Sequence, residues 1–75
     1  MIKDQELLIV VPTFNEVGNV VKLYNGIRRE MSYVSILFVD DNSKDGTRNK
    51  IDDLVQNDSN VFVLYRHEKQ GLASA

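Results

Sequence analysis

The 75-residue chain contains no cysteine, a single proline, a single histidine and only four glycines. Without cysteine there is no disulfide framework and no thiolate metal site, which fits a reducing, cytoplasmic setting. A basic cluster is missing too: nine Lys and Arg stand against eleven Asp and Glu, the cations are scattered, and the formal charge is −2. That pattern argues against nucleic acid as a partner. Long apolar runs are absent as well. The run Leu7–Val11 follows a charged start, "MIKDQE", and is too short for a secretory leader or a membrane span. The scarcity of glycine excludes a further class. A dinucleotide-binding unit needs G-x-G-x-x-G between its first strand and helix, so that backbone amides can close on a pyrophosphate. Here that place reads "PTFNEVGN", with bulky Phe14 and acidic Glu16 where glycines should stand.

What is present alternates. "LLIVVP", Leu7–Pro12, is a continuous apolar, β-rich run of the kind found in parallel sheets covered on both faces, and Pro12 is expected to end it. Val17, Val20, Val21, Tyr24, Ile27 and Met31 then recur at helical spacing, with Asn15 as the expected cap. "VSILFVD" reads as a second buried strand. After "DGT", Ile51, Leu54 and Val55 mark a second helix with Asp45 as its expected N-cap. On the outer face of that helix Arg48 with Asp52, and Lys50 with Asp53, are spaced for weak ion pairs. "NVFVLYR" reads as a third strand, and "GLASA" as the first turn of a further helix. At about half the length of a common domain, the chain can bury only one modest core. The fold expected is α/β: a three-layer Rossmann-like parallel sheet, of which residues 1–75 supply a β-α-β-α-β portion.

In such a sheet ligands bind at the carboxyl ends of the strands, which brings together "PTFNE", "DDNSKDG" and "RHEKQG". The combination is acidic and aromatic. Phe14 offers a face for stacking, and a carboxylate of the pair Asp40 and Asp41 can accept hydrogen bonds from base N–H groups, such as N1–H and the amino group of guanine or N3–H of uracil. For Asp40 itself, support of the turn that follows is the expectation. Glu16 reads equally well as a nucleotide contact or as a first-turn acid on a helix dipole. His67 reads as a surface residue. With Glu16, Asp40, Asp41 and Asp45 crowded together, a diphosphate would need a divalent cation to join them.

"VVPTFNEVGNV", "ILFVDDNSKDGT" and "RHEKQGLASA", in this order, resemble the N-terminal part of family 2 glycosyltransferases of GT-A fold. Within that family the chain is most similar to dolichyl-phosphate mannose synthases and related polyprenyl-phosphate glycosyltransferases. The resemblance covers essentially the whole chain. It implies a nucleotide-diphospho-sugar donor, GDP-mannose or a UDP-sugar, and a polyprenyl or dolichyl phosphate acceptor. It also implies a divalent metal, Mg²⁺ or Mn²⁺, and work at the cytoplasmic face of a membrane. Carried over by position, it makes Pro12, Phe14 and Glu16 nucleotide contacts, lets Val39 and Asp41 flank the base, and puts Lys69 near a phosphate. Two positions depart from the pattern: Phe14 stands where Tyr is usual and lacks its hydroxyl, and Ala73 replaces the second glycine of the third motif. The family's metal-binding D-x-D, catalytic groups and acceptor site are expected beyond residue 75. The 75 residues are therefore expected to be a fragment, inactive alone and self-associating through the first strand. The alternative is a phospho-receiver-like signalling module using the acid pair of "VDDN".

Overall fold

The structure, a computed structural model, describes residues 7–66. Strand β1 (Leu8–Thr13), helix α1 (Val20–Glu30), strand β2 (Ser35–Asp41), helix α2 (Thr47–Asn57) and strand β3 (Val61–Arg66) follow in that order. The strands form one parallel sheet, β1-β2-β3, with β2 in the centre. "GLASA" and Lys69 lie outside the described residues.

Side chains alternate across a strand, and the register aligns the alternation from strand to strand. Val11 pairs with Phe38, and Ile36 with Val61. These four face the helices and, with Val20 of α1, Ile51 of α2 and Val34, make the buried core. Removing a side chain the size of Phe or Ile from water contributes about 1.5–3 kcal/mol, enough to hold α1 despite Gly26 in its middle. The other set, Leu8 and Val10 of β1 with Phe62 and Leu64 of β3, stays about half exposed. Both helices lie on the same face and touch each other. The described residues thus supply two layers of the expected three. The physical reason is handedness: successive right-handed crossovers that advance in one direction always return over the same face. A helix reaches the opposite face only after the strand order reverses.

Five local readings are corrected by the fold. Pro12 does not end β1, which runs on to Thr13. Because Leu7 accepts the Ser35 N–H, alternation turns residues 7, 9, 11 and 13 toward β2 and Pro12 toward the open edge, where a missing N–H costs nothing. Asn15 does not cap α1; the helix starts later, after Asn19, because Glu16 O first accepts the N–H groups of both Asn19 and Val20. Glu16 therefore precedes the helix and is not a first-turn acid. On α2, the pairing of Arg48 with Asp52 is replaced by a shared partner from β3. Tyr65 donates its hydroxyl to Asp52, and its ring lies 4.3 Å beneath the Arg48 guanidinium. Lys50 and Asp53 form no ion pair either; Arg28–Asp58 is the sole one among the described residues.

That pair closes the end of the sheet where the strands begin. Asp58 Oδ2 accepts Arg28 Nε at 2.9 Å and the Tyr24 hydroxyl at 2.6 Å, while Arg28 Nη1 donates to Val34 O at 2.7 Å. One carboxylate so joins α1, the entry to β2 and the turn before β3. Partial burial acts to raise the Asp58 pKa, but the hydrogen bonds from Arg28 and Tyr24 outweigh it and hold the carboxyl below its ordinary value. A depressed carboxylate adds stability above its unfolded pKa and loses it as pH falls through the native value. Asp58→Ala should therefore lower stability by about 1.5–3 kcal/mol at neutral pH. The difference from wild type should shrink below about pH 4, and urea unfolding of both proteins at pH 7 and pH 3 measures it.

Candidate functional site

At the other end of the sheet the loop Phe14–Asn19 and the loop Asn42–Gly46 leave adjacent strands, and a ladder of hydrogen bonds zips them together. Asn15 N–H donates to Ser43 Oγ at 2.7 Å, and Lys44 N–H donates to Asn15 Oδ1 at 2.8 Å. Glu16 N–H donates to Thr47 Oγ1 at 2.8 Å, and Val17 N–H to Asp45 Oδ2 at 3.2 Å. Asn15 and Asn42 both adopt positive φ, +51° and +63°, a conformation Asn tolerates better than most residues. These reversals fold each loop back over its own strand end.

Beneath the ladder sits Asp40, fully buried. Its Oδ1 accepts the hydroxyls of Thr13 at 2.7 Å and Ser43 at 2.6 Å, and its Oδ2 accepts the Ser43 N–H at 2.9 Å. Burial acts to raise the Asp40 pKa, yet these bonds, Ser43 first and then Thr13, together with the Arg48 charge, hold it below the ordinary value. The expectation that Asp40 supports the following turn is what the geometry displays, with the addition that it also grips β1. Asp45 is held below its ordinary value chiefly by the Thr47 hydroxyl. It accepts the Thr47 N–H at 3.0 Å and so does a cap's work, although the residue preceding α2 is Gly46, at φ +96°.

Of the residues expected to contact a ligand, Pro12, Val39 and Asp41 fall on the side away from the helices, while Glu16 lies at the β1 edge beside α1. Pro12 pairs with Val39 in the register, and Thr13 with Asp40. One step further along each chain stand Phe14, 58% exposed, and Asp41, exposed at the end of β2. By alternation Pro12, Val39 and Asp41 share the uncovered face. Among the described residues Asp41 accepts no hydrogen bond, so its carboxylate is uncommitted, in contrast to Asp40. Glu16 is exposed, its carboxylate within 3.3 Å of Asn19 Nδ2, and it lines with Pro12 a small cavity of about 100 Å³ along the outer edge of β1. That cavity also takes in Asn19, Val20 and Leu23 of α1 and its approach, and it is smaller than the roughly 300–1,000 Å³ typical of a ligand pocket. A larger cavity of about 200 Å³ opens at the far end of the sheet, beside Leu7 and Tyr33, away from the strand carboxyl ends where ligands of open α/β sheets bind.

No group of three or more His, Cys, Asp or Glu among the described residues could hold a metal ion. Of the four crowded acids, Asp40 and Asp45 are consumed by hydrogen bonds, which leaves Glu16 and Asp41 open. The side chains that sequence reasoning missed are Thr13, Asn15, Ser43 and Thr47. Their signal was only a scatter of small polar residues in two loops, since nothing in the one-dimensional order pairs Thr13 with Asp40.

Residues 8–75 match the family model described as Glycosyl transferase family 2. Among curated proteins, the chain is 35% identical to the dolichol-phosphate mannosyltransferase of Saccharomyces cerevisiae, over 93% of this chain and 28% of that protein. It is 38% identical to the polyprenol monophosphomannose synthase of Mycolicibacterium smegmatis, over 95% of this chain and 27% of that protein. The undecaprenyl-phosphate mannosyltransferase of Micrococcus luteus is 35% identical, over 92% and 28%. The chain thus spans little more than a quarter of the length of these relatives. A solved structure of the mannosyltransferase PcManGT from Pyrobaculum calidifontis, in complex with GDP-Man and Mn²⁺, superposes with a TM-score of 0.62 at 20% identity, covering 88% of this chain and 20% of that one. That likeness establishes the fold. The family match displaces the phospho-receiver alternative, and the burial of Asp40 agrees, because half of the acid pair is closed inside the loop network.

Proposed function

This chain belongs to glycosyl transferase family 2, and we propose that it forms the base-binding wall of an enzyme that transfers a sugar from a nucleotide-diphospho-sugar to a polyprenyl or dolichyl phosphate. The observation that carries the reading is the pairing of an exposed aromatic, Phe14, with an uncommitted carboxylate, Asp41, at neighbouring strand ends above a rigid loop pair. Phe14 stacks on the base. Asp41 accepts its N–H groups, a task suited to guanine, which presents two donors side by side, and to uracil, which presents one. Pro12 and Val39 flank the ring, Glu16 contacts the nucleotide from the edge of β1, and Lys69, outside the described residues, is the proposed phosphate neighbour. The names of the relatives all specify mannose, and the solved neighbour is in complex with GDP-Man, which together favour GDP-mannose over a UDP-sugar.

The diphosphate brings negative charge to a wall whose open side chains are Glu16 and Asp41, so a divalent cation, Mg²⁺ or Mn²⁺, is part of the proposal. The described residues do not fit as its ligands, and the family's D-x-D is expected outside this chain. No helix among them is long and apolar enough to cross a membrane. The proposed lipid acceptor implies work at a membrane surface, and the cytoplasmic face is part of the proposal on the family resemblance alone.

In the protein expressed from its complete reading frame, Asp41→Ala should weaken GDP or UDP binding by about 1–3 kcal/mol, the size of a lost charged hydrogen bond. Calorimetry finding unchanged affinity in a folded variant removes Asp41 from the site. Excess chelator should abolish tight binding of the nucleoside diphosphate, and full affinity without metal would assign the neutralising role to basic groups. The isolated 75 residues should self-associate, because among the described residues the outer edge of β1 has no strand partner and lies beside a half-exposed apolar face. Light scattering at micromolar concentration checks this, and a stable monomer would refute it.

A further inference from the structure

We infer that Asp40 is the positioning residue of the base site, acting through Thr13 and Ser43, so that one buried carboxylate sets the placement of both Phe14 and Asp41. The inference rests on the nucleotide-binding reading of those two residues and adds what holds them. Phe14 is flanked by Thr13, whose hydroxyl donates to Asp40 Oδ1 at 2.7 Å, and by Asn15, whose N–H donates at 2.7 Å to the same Ser43 hydroxyl that donates to Asp40 Oδ1 at 2.6 Å. Asp41 is flanked by Asp40 itself and by Asn42, held at φ +63° by the return of the Ser43 N–H to Asp40 Oδ2 at 2.9 Å. Each of the two residues is thus tethered on both sides to one group, which lies on the helix side of the sheet, while Asp41 turns to the open side and Phe14 stays exposed beyond the end of β1.

The carboxylate suits this work because it is acceptor-only. Three donors converge on it, it is fully buried, and no solvent competes for its lone pairs. If a tether is removed, the open residues explore other orientations, and apparent affinity falls by the fraction of time spent in the competent one. A latch released nine times in ten would weaken binding about tenfold without touching any group that meets the ligand.

The test uses Thr13→Val, which keeps shape and removes the hydroxyl, Thr13→Ser, which restores it, and Ser43→Ala, which strips the acceptor from Asn15. Each is made in the protein expressed from its complete reading frame. GDP and UDP, with Mg²⁺, are titrated calorimetrically well below each variant's melting temperature, so that lost stability alone does not register. Thr13→Val and Ser43→Ala should each weaken binding about tenfold, Thr13→Ser should bind close to wild type, and donor KM should rise with kcat little changed, as for lost uniform binding. Wild-type affinity in folded Thr13→Val and Ser43→Ala overturns the inference while the binding reading stands. So does a Thr13→Ser variant as weak as Thr13→Val. Failure of the wild-type protein to bind either nucleotide overturns the reading and the inference with it.

Discussion

Three parallel strands laid down in the order β1-β2-β3, with right-handed crossovers, must carry both helices on one face. Everything else in this chain depends on that constraint. It gathers Val11, Val20, Ile36, Phe38, Ile51 and Val61 into a single-sided core and leaves Leu8, Val10, Phe62 and Leu64 uncovered on the other side. It leaves the outer edge of β1 open, where Pro12 is tolerated. It also brings the two loops that follow β1 and β2 into contact, because parallel neighbours end side by side.

The two ends of the sheet are closed by the same chemical device used for different purposes. A carboxylate removed from water is costly unless its lone pairs are filled. At the end where the strands begin, Asp58 fills them with Arg28, Tyr24 and the Asn60 N–H, and so ties a helix, a strand entry and a turn into one unit. Where the strands end, Asp40 fills them with Thr13 and Ser43 and ties two loops instead. The first knot serves the fold. Above the second lie Phe14 and Asp41, the side chains proposed to meet a ligand, and the inferred role of the knot is to hold them in place. An exposed Phe14 on a slack loop would collapse onto the nearest apolar surface.

Adjacent acids at one strand end can thus have opposite fates. Asp40 and Asp41 differ by one step in the pleat, which turns one toward the helices and the other away. The inward acid becomes structural because burial supplies it with three donors, and the outward acid accepts no hydrogen bond among the described residues.

Periodicity alone determined the elements: runs of β-branched residues alternating with helical stripes allow little but a parallel α/β sheet, and the bounds of β2 and β3 lie within a residue of those read from the chain. The three motifs determined the family, since "VVPTFNEVGNV", "ILFVDDNSKDGT" and the segment after β3 are local strings. Also legible was that Asp41 and Phe14 stand at strand ends. What the tertiary structure decided is whatever depends on a partner distant in sequence. Pro12 stays inside β1 because that strand is an edge, Arg48 gives up Asp52 because Tyr65 arrives from β3, and Asn15 leaves its helix to serve Lys44 across the loops. Thr13 and Ser43 acquire their roles only when β1 and β2 align in register around Asp40. A hydrogen bond between residues 27 apart leaves no trace in the order of residues, because neither side chain needs any particular neighbour along the chain to make it.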